Sequence, residues 1–315
     1  MKHLMKLGRV QTLLFSKAWA VALILNLSLN LSLVEAASPV IGTAITQGTF
    51  RVDNATVTGN ATLEEGAVVE TSLASSSLQL SNGTHVVLAA ASRGRLFGDH
   101  MVLERGESRL DHGATYHLEA LGLTIRPETG ATSGRIALAG GGRVRVAALT
   151  GSFRVLNSRG MLVANLGTGS SLDFEPQTSS ASGLSKVTGV LQKKNGHLLL
   201  TDETTNVTVE VAGPGLEKEA GNRVELTGSM DPTAIPVPEA SQYIRVAQVR
   251  RLGKGAAVDH AGAAAAGAAT AGGIAGWSAG TIAIIGGVAA AATVGGLAAA
   301  NKLPGQAAAA PPVSR

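Results

Sequence analysis

From Gln47 to Phe174, short apolar runs alternate with polar residues and are cut at near-even spacing by turn residues. At the centre, Leu78-Gln79-Leu80-Ser81-Asn82-Gly83-Thr84-His85-Val86-Val87-Leu88 sets two alternating runs around Asn-Gly. That dipeptide predicts a two-residue hairpin turn, because both of its residues accept positive φ. Similar phrases recur on either side. Residues 49–52 precede Asp53-Asn54, residues 67–70 follow Glu65-Gly66, and residues 101–103 precede Arg105-Gly106. Residues 116–118, 123–125, 143–146, 152–156, 161–164 and 172–174 complete the series. A period of two sends successive side chains to opposite faces, so each run reads as a half-buried strand. No window holds a 3.6-residue period for more than two turns. The pattern predicts a mainly β module over 41–176, built as a sandwich, roll or solenoid.

A polar small-residue linker, 177–183, leads to a second set of strands over 184–253. Residues 184–191, the turn Asn195-Gly196, residues 197–201 and residues 206–211 come first. A short helical turn follows near residues 215–221, then the strands 223–228 and 243–249. Three strands, a helical insert and two more strands resemble a small OB-type barrel.

The order of phrases in the first module also carries a resemblance. Leu63-Glu64-Glu65-Gly66-Ala67-Val68-Val69-Glu70-Thr71 comes first, then Ser77-Leu78-Gln79-Leu80-Ser81-Asn82-Gly83-Thr84, then Leu103-Glu104-Arg105-Gly106-Glu107. With the closing stretch Val144 to Val155, this order resembles the FecR-type domain over about 130 residues. The resemblance implies an extracytoplasmic β-rich domain. Founding members relay a surface signal to a sigma factor through an N-terminal cytosolic helical domain. This chain opens instead with what reads as an export signal, so the periplasmic β domain is what the resemblance carries over.

Residues 1–36 have a basic start, an uncharged run from Ala18 to Val34 and Val34-Glu35-Ala36 before Ala37, the three regions of a secretory signal. An uncut signal anchor is the alternative. At the other end, 261–301 is an uncharged Ala/Gly-rich segment of 41 residues. About 20 apolar residues suffice to span a bilayer. A transmembrane helix is therefore expected at about 274–298, with Gly276 and Gly280 at a spacing that lets helices approach. A helical hairpin or a low-complexity run are the other solutions, and 302–315 reads as a flexible tail.

Charge changes the picture little. The chain carries +4 overall, but residues 1–36 account for +3 of it, so the remainder is close to neutral. From Leu184 to Lys254 nine Lys/Arg face eight Asp/Glu, with Tyr243 the one aromatic residue. A nucleic-acid groove needs basic residues interleaved with stacking aromatics, so no nucleic-acid partner is expected. There is no cysteine, which excludes disulfides, thiol chemistry and thiolate metal sites.

Asp111, His112, His117 and Glu119 are the best metal candidates, yet a spacing of five residues across a strand and turn puts no pair on one face. Asp99-His100 near Glu104 suggests a base and its orienter. Gly140-Gly141-Gly142 and Gly167-Thr168-Gly169 are followed by no Lys-Ser/Thr. Asn54, Asn60, Asn82 and Asn206 begin formal glycosylation sequons that read as strand and turn residues. No catalytic, metal or cofactor site is assigned. The expectation is a non-enzymatic cell-envelope protein, exported and anchored by the C-terminal helix, that binds an envelope protein or polysaccharide. Signal relay across the membrane is the alternative.

Overall fold

A computed structural model describes residues 38–113, 115–176, 184–255, 282–285 and 287–292 of the chain. Residues 1–37, the linker 177–183, the tail 302–315 and most of 261–301 lie outside the described residues. Within the described residues the fold is mainly β, as the alternation predicts, with one 3-10 turn at Leu216–Glu219.

The first module opens with a long hairpin, β1 (Val40–Val52) and β2 (Ala55–Glu64). Its turn residues Asp53 and Asn54 both have positive φ, 48° and 68°, a backbone twist that suits antiparallel strands. β1 then feeds two sheets. Its end pairs with β3 (Val68–Thr71) and its first half with β4 (Ser76–Leu80). The β3 sheet continues through β6 (Arg93–Leu96), β7 (His100–Arg105), β9 (His117–Ala120), β10 (Leu123–Pro127), β13 (Phe153–Leu156) and β14 (Leu162–Leu166). The β4 sheet continues through β5 (His85–Leu88), β8 (Glu107–Asp111), β11 (Ser133–Ala139), β12 (Arg143–Thr150) and β15 (Ser171–Pro176). Within these two sheets only β7 and β9 run parallel.

Alternate residues of both sheets meet in one core. Leu78, Val86, Leu110, Ile136, Val146 and Phe174 come from the β4 sheet, and Val69, Leu96, Met101, Leu118, Ile125 and Val155 from the β3 sheet. Phe153 lies across this interface over Gly134, where any Cβ would overlap the ring. The Asn82-Gly83 turn departs from expectation. Only Gly83 has positive φ, 83°, and Leu80 N–H donates to the Thr84 carbonyl at 2.9 Å. The loop therefore holds three residues, with glycine at the left-handed position. Asn82 instead accepts the Thr84 N–H on Oδ1 at 2.9 Å and donates to the Gly98 carbonyl.

The second module is a closed ring of five strands. β16 (Leu184–Lys194) pairs with β17 (His197–Thr201), β17 with β18 (Thr208–Ala212), and β18 runs parallel to β20 (Tyr243–Lys254). β20 pairs with β19 (Asn222–Met230), and β19 returns to β16. Val187, Leu200, Val209, Leu226 and Ile244 fill the ring. Asp202 ties one rim together: its carboxylate accepts N–H groups from Thr188, Thr204 and Thr205 and the Thr205 hydroxyl.

The expected transmembrane helix at about 274–298 is overturned over residues 282–285 and 287–292, while the rest of that span lies outside the described residues. Those residues form a hairpin, β21 (Ile282–Ile285) and β22 (Val288–Ala292). β22 pairs with β15 over five positions, and β21 meets β16 at Lys186 and Ile284. Val288 and Ala290 enter the first core, and Ile285 enters the second. High hydropathy alone does not separate a membrane span from a buried strand, but β-branched Ile and Val next to Gly287 at φ 78° favour the strand. No described helix is long and apolar enough to cross a membrane.

Val288→Asp should release this hairpin, since a buried unpaired charge costs several kcal/mol. Peptides from β15 should then exchange amide hydrogens faster while β17 and β18 keep their protection. Unchanged exchange along β15 would contradict the docking.

Candidate functional site

The sequence candidates are dispersed. Asp111 sits on the β4 sheet, paired with Arg109 at 2.8 Å, and His112 follows it in a turn at φ 54°. His117 and Glu119 lie on β9 in the other sheet. Among the described residues no group of three or more His, Asp or Glu is placed to hold a metal ion. Asp99 does contact His100, Oδ1 to Nδ1 at 2.7 Å, but Glu104 faces Arg93 and Arg95 instead. Gly140 to Gly142 form the β11–β12 turn, and Gly167 to Gly169 lie between β14 and β15.

One grouping the sequence did not announce is Ser77, His85 and Asp111. Ser77 Oγ lies 2.7 Å from His85 Nε2, and His85 Nδ1 lies 3.5 Å from Asp111 Oδ2. Three neighbouring strands carry these residues on one outer face. The set lacks the rest of an acyl-transfer site. Pairing of β4 with β1 and β5 uses its backbone donors, so none is aimed at a developing oxyanion. Arg109 already holds Asp111.

The outer face of the β3 sheet has a different character. Because β7 and β9 are parallel, His100 stands opposite His117, and their rings stack at 5.2 Å with 16° between planes. Phe97 stacks on His100 at 4.3 Å. The β9–β10 register, Thr124 with Glu119 and Ile125 with Leu118, brings Arg126 beside His117. Arg126 then pairs across with Arg154, and Arg154 with Asn165. Five side chains from five strands therefore form one transverse row. Burial pushes the His117 imidazole below its ordinary 6.5, and the charges of Arg126 and His100 push it further, against the pull of Glu119 and Asp99.

A second feature is a cleft of about 310 Å³ on the ring. Lys194 from the end of β16, Asn195 from the turn after it, His197 and Leu199 from β17, and Val237 to Glu239 from the segment before β20 line it. His197 Nδ1 lies 2.7 Å from Glu210 Oε1, while Glu210 Oε2 accepts the Val237 N–H at 2.9 Å. Lys194 closes the far side by pairing with Glu239 at 3.0 Å. The buried Glu210 carboxylate thus fixes both the histidine and the loop.

No protein-family model and no curated protein matches the chain. Among solved structures, the chain is similar to the crystal structure of a candidate anti-sigma factor from Parabacteroides distasonis. That similarity has 14% identity and a TM-score of 0.29, over 34% of this chain and 53% of the other. The chain thus spans about half the length of that protein, and a match at this level carries no argument about fold or role.

His117 gives a pH prediction with a defined sign. Its folded pKa is lowered, so its neutral form contributes stability that is present above about pH 6.5 and is lost as pH falls through the folded value. The C2-proton titration of His117 should fall below 6.5 in wild type and move up in Arg126→Gln. A titration unmoved by that substitution would contradict the pairing of the two side chains.

Proposed function

We propose that the protein is an exported, non-enzymatic binding and scaffold protein of the cell envelope, with a FecR-like first module and an OB-like second module. The hairpin of β21 and β22 carries this reading. It pairs with β15 and with β16 and contributes side chains to both cores, which supports two modules held as one body for display. Further polar links favour the same view. Asn165 N–H donates to the Thr205 carbonyl at 2.7 Å, and Gln242 Nε2 donates to the Leu162 carbonyl at 2.7 Å.

The OB-like assignment draws its support from the ring order β16-β17-β18-β20-β19, the parallel β18–β20 pair and the 3-10 turn between β18 and β19. The cleft then falls between the first hairpin turn and the segment before the last strand, the edge where such barrels take ligands. Relay through a C-terminal helix is not part of this reading, since Ile282–Ile285 and Val288–Ala292 are strands of the hairpin.

Fractionation of cells making the full chain, with the mature N-terminus read by mass, tests the proposal. The expected result is envelope or periplasmic protein starting near Ala37. Full-length protein in the cytoplasm would overturn it.

A further inference from the structure

Charges on the two outer faces of the first module are mostly matched. On the β4 sheet Arg109 meets Asp111, Arg135 meets Glu107, and Arg145 makes two bonds to Asp173. On the β3 sheet Arg93 is shared between Glu70 and Glu104, Arg95 meets Glu104, and Arg105 meets Glu70. Arg126 and Arg154 break the pattern. They stand directly opposite each other on β10 and β13, both exposed, and among the described residues neither lies within 4.0 Å of a carboxylate. Like charges directly opposite on a sheet are destabilising, so the fold alone gives no reason to keep this pair. His117 and His100 extend it toward Phe97, and Asn165 extends it toward the ring.

We propose that the row His100, His117, Arg126, Arg154 and Asn165 binds an acidic polysaccharide laid across the strands of the β3 sheet. This rests on the reading of the protein as an exported binding protein, and it names the ligand class. The row lies on the outer face of the sheet, with Arg126 and Arg154 exposed and His100, His117 and Asn165 half-buried, on neighbouring strands about 4.8 Å apart. A single small anion there would keep most of its water, whereas a chain with anions in series meets several donors together. Guanidinium groups suit carboxylates through paired hydrogen bonds. Glu119, 3.6 Å from His117, and Asp99, 2.7 Å from His100, add negative charge at the histidine end, so the anions of the ligand meet Arg126 and Arg154 first. Stacking for nucleic-acid bases is lacking, since Phe97 stands at one end with His100 against its face. The groups facing His117 are Arg126 from β10, His100 from β7, Asp99 from the turn before β7, and Glu119 on its own strand. Carboxylates bound along the row would offset the two cations, so ligand binding raises the His117 titration.

The test uses the folded full chain and polygalacturonate as probe, with dextran as the neutral polymer and phosphatidylglycerol vesicles as the lipid surface. Polygalacturonate should bind, weaken as salt rises, and move the His117 titration upward, while dextran does neither. The double variant Arg126→Gln/Arg154→Gln should bind at least tenfold more weakly, and Arg250→Gln on the ring should bind as wild type does. If the double variant fails to fold, the upward movement of His117 in wild type still decides. Equal binding by wild type and a folded double variant overturns the proposal, as does equal binding of dextran. Vesicle binding without polygalacturonate binding assigns the row to lipid and overturns it too. Cytoplasmic location would remove the export reading while leaving binding in vitro intact, so the two failures are separable.

Discussion

Each sheet of the first module has one apolar face, and neither can leave that face in water. The two sheets hold each other in place through a single layer of interlocking side chains. Burial of a large side chain contributes about 1.5–3 kcal/mol, and with few aromatic residues the layer relies on many medium-sized contacts. This makes the alternation strict. A strand shifted by one residue would send its whole apolar set to solvent. Every other feature depends on that register, including which side chains reach the outer faces and which ones stand opposite each other there.

Strands with several large inward residues were legible in the sequence. β4, β5, β10 and β12 bury Leu78 and Leu80, Val86 and Leu88, Leu123 and Ile125, and Val144 and Val146. Others were not, because half of their inward positions are small or polar. β6 turns Gly94 and Leu96 inward, and β8 turns Ser108 and Leu110 inward. β2 was hidden because its body is mostly polar and only Leu63 is fully buried. Turns divide in the same way. Asn195-Gly196 has both residues at positive φ, as its composition suggests, but so does Leu121-Gly122, whose leucine gives no such signal. The hairpin of β21 and β22 was read as a membrane helix because composition records how apolar a segment is and not what buries it. The transverse row was illegible for a related reason. Its members are separated in sequence and meet only through strand pairing, and the parallel β7–β9 pair skips the strand between them in the chain.

The two outer faces show how little an ion pair on a sheet needs to contribute in order to be informative. Exposed pairs are worth about 0–1 kcal/mol each, so the matched ladder across β8, β11, β12 and β15 adds little to stability. Its value lies in neutrality. A face with each cation matched presents a bland surface, and two unmatched arginines then stand out as a local excess of charge. The same arithmetic explains why removing those arginines should leave the fold intact.

The hairpin that completes the β4 sheet is the last element among the described residues, roughly a hundred residues after the strand it covers. A ribosome adds about 5–20 residues per second, so β15 emerges several seconds before its partner exists. During that interval its open edge offers unpaired backbone groups to any passing strand. Newborn chains therefore go through a vulnerable stage, set by the order of synthesis, in which a holding factor or dilution decides between maturation and mispairing.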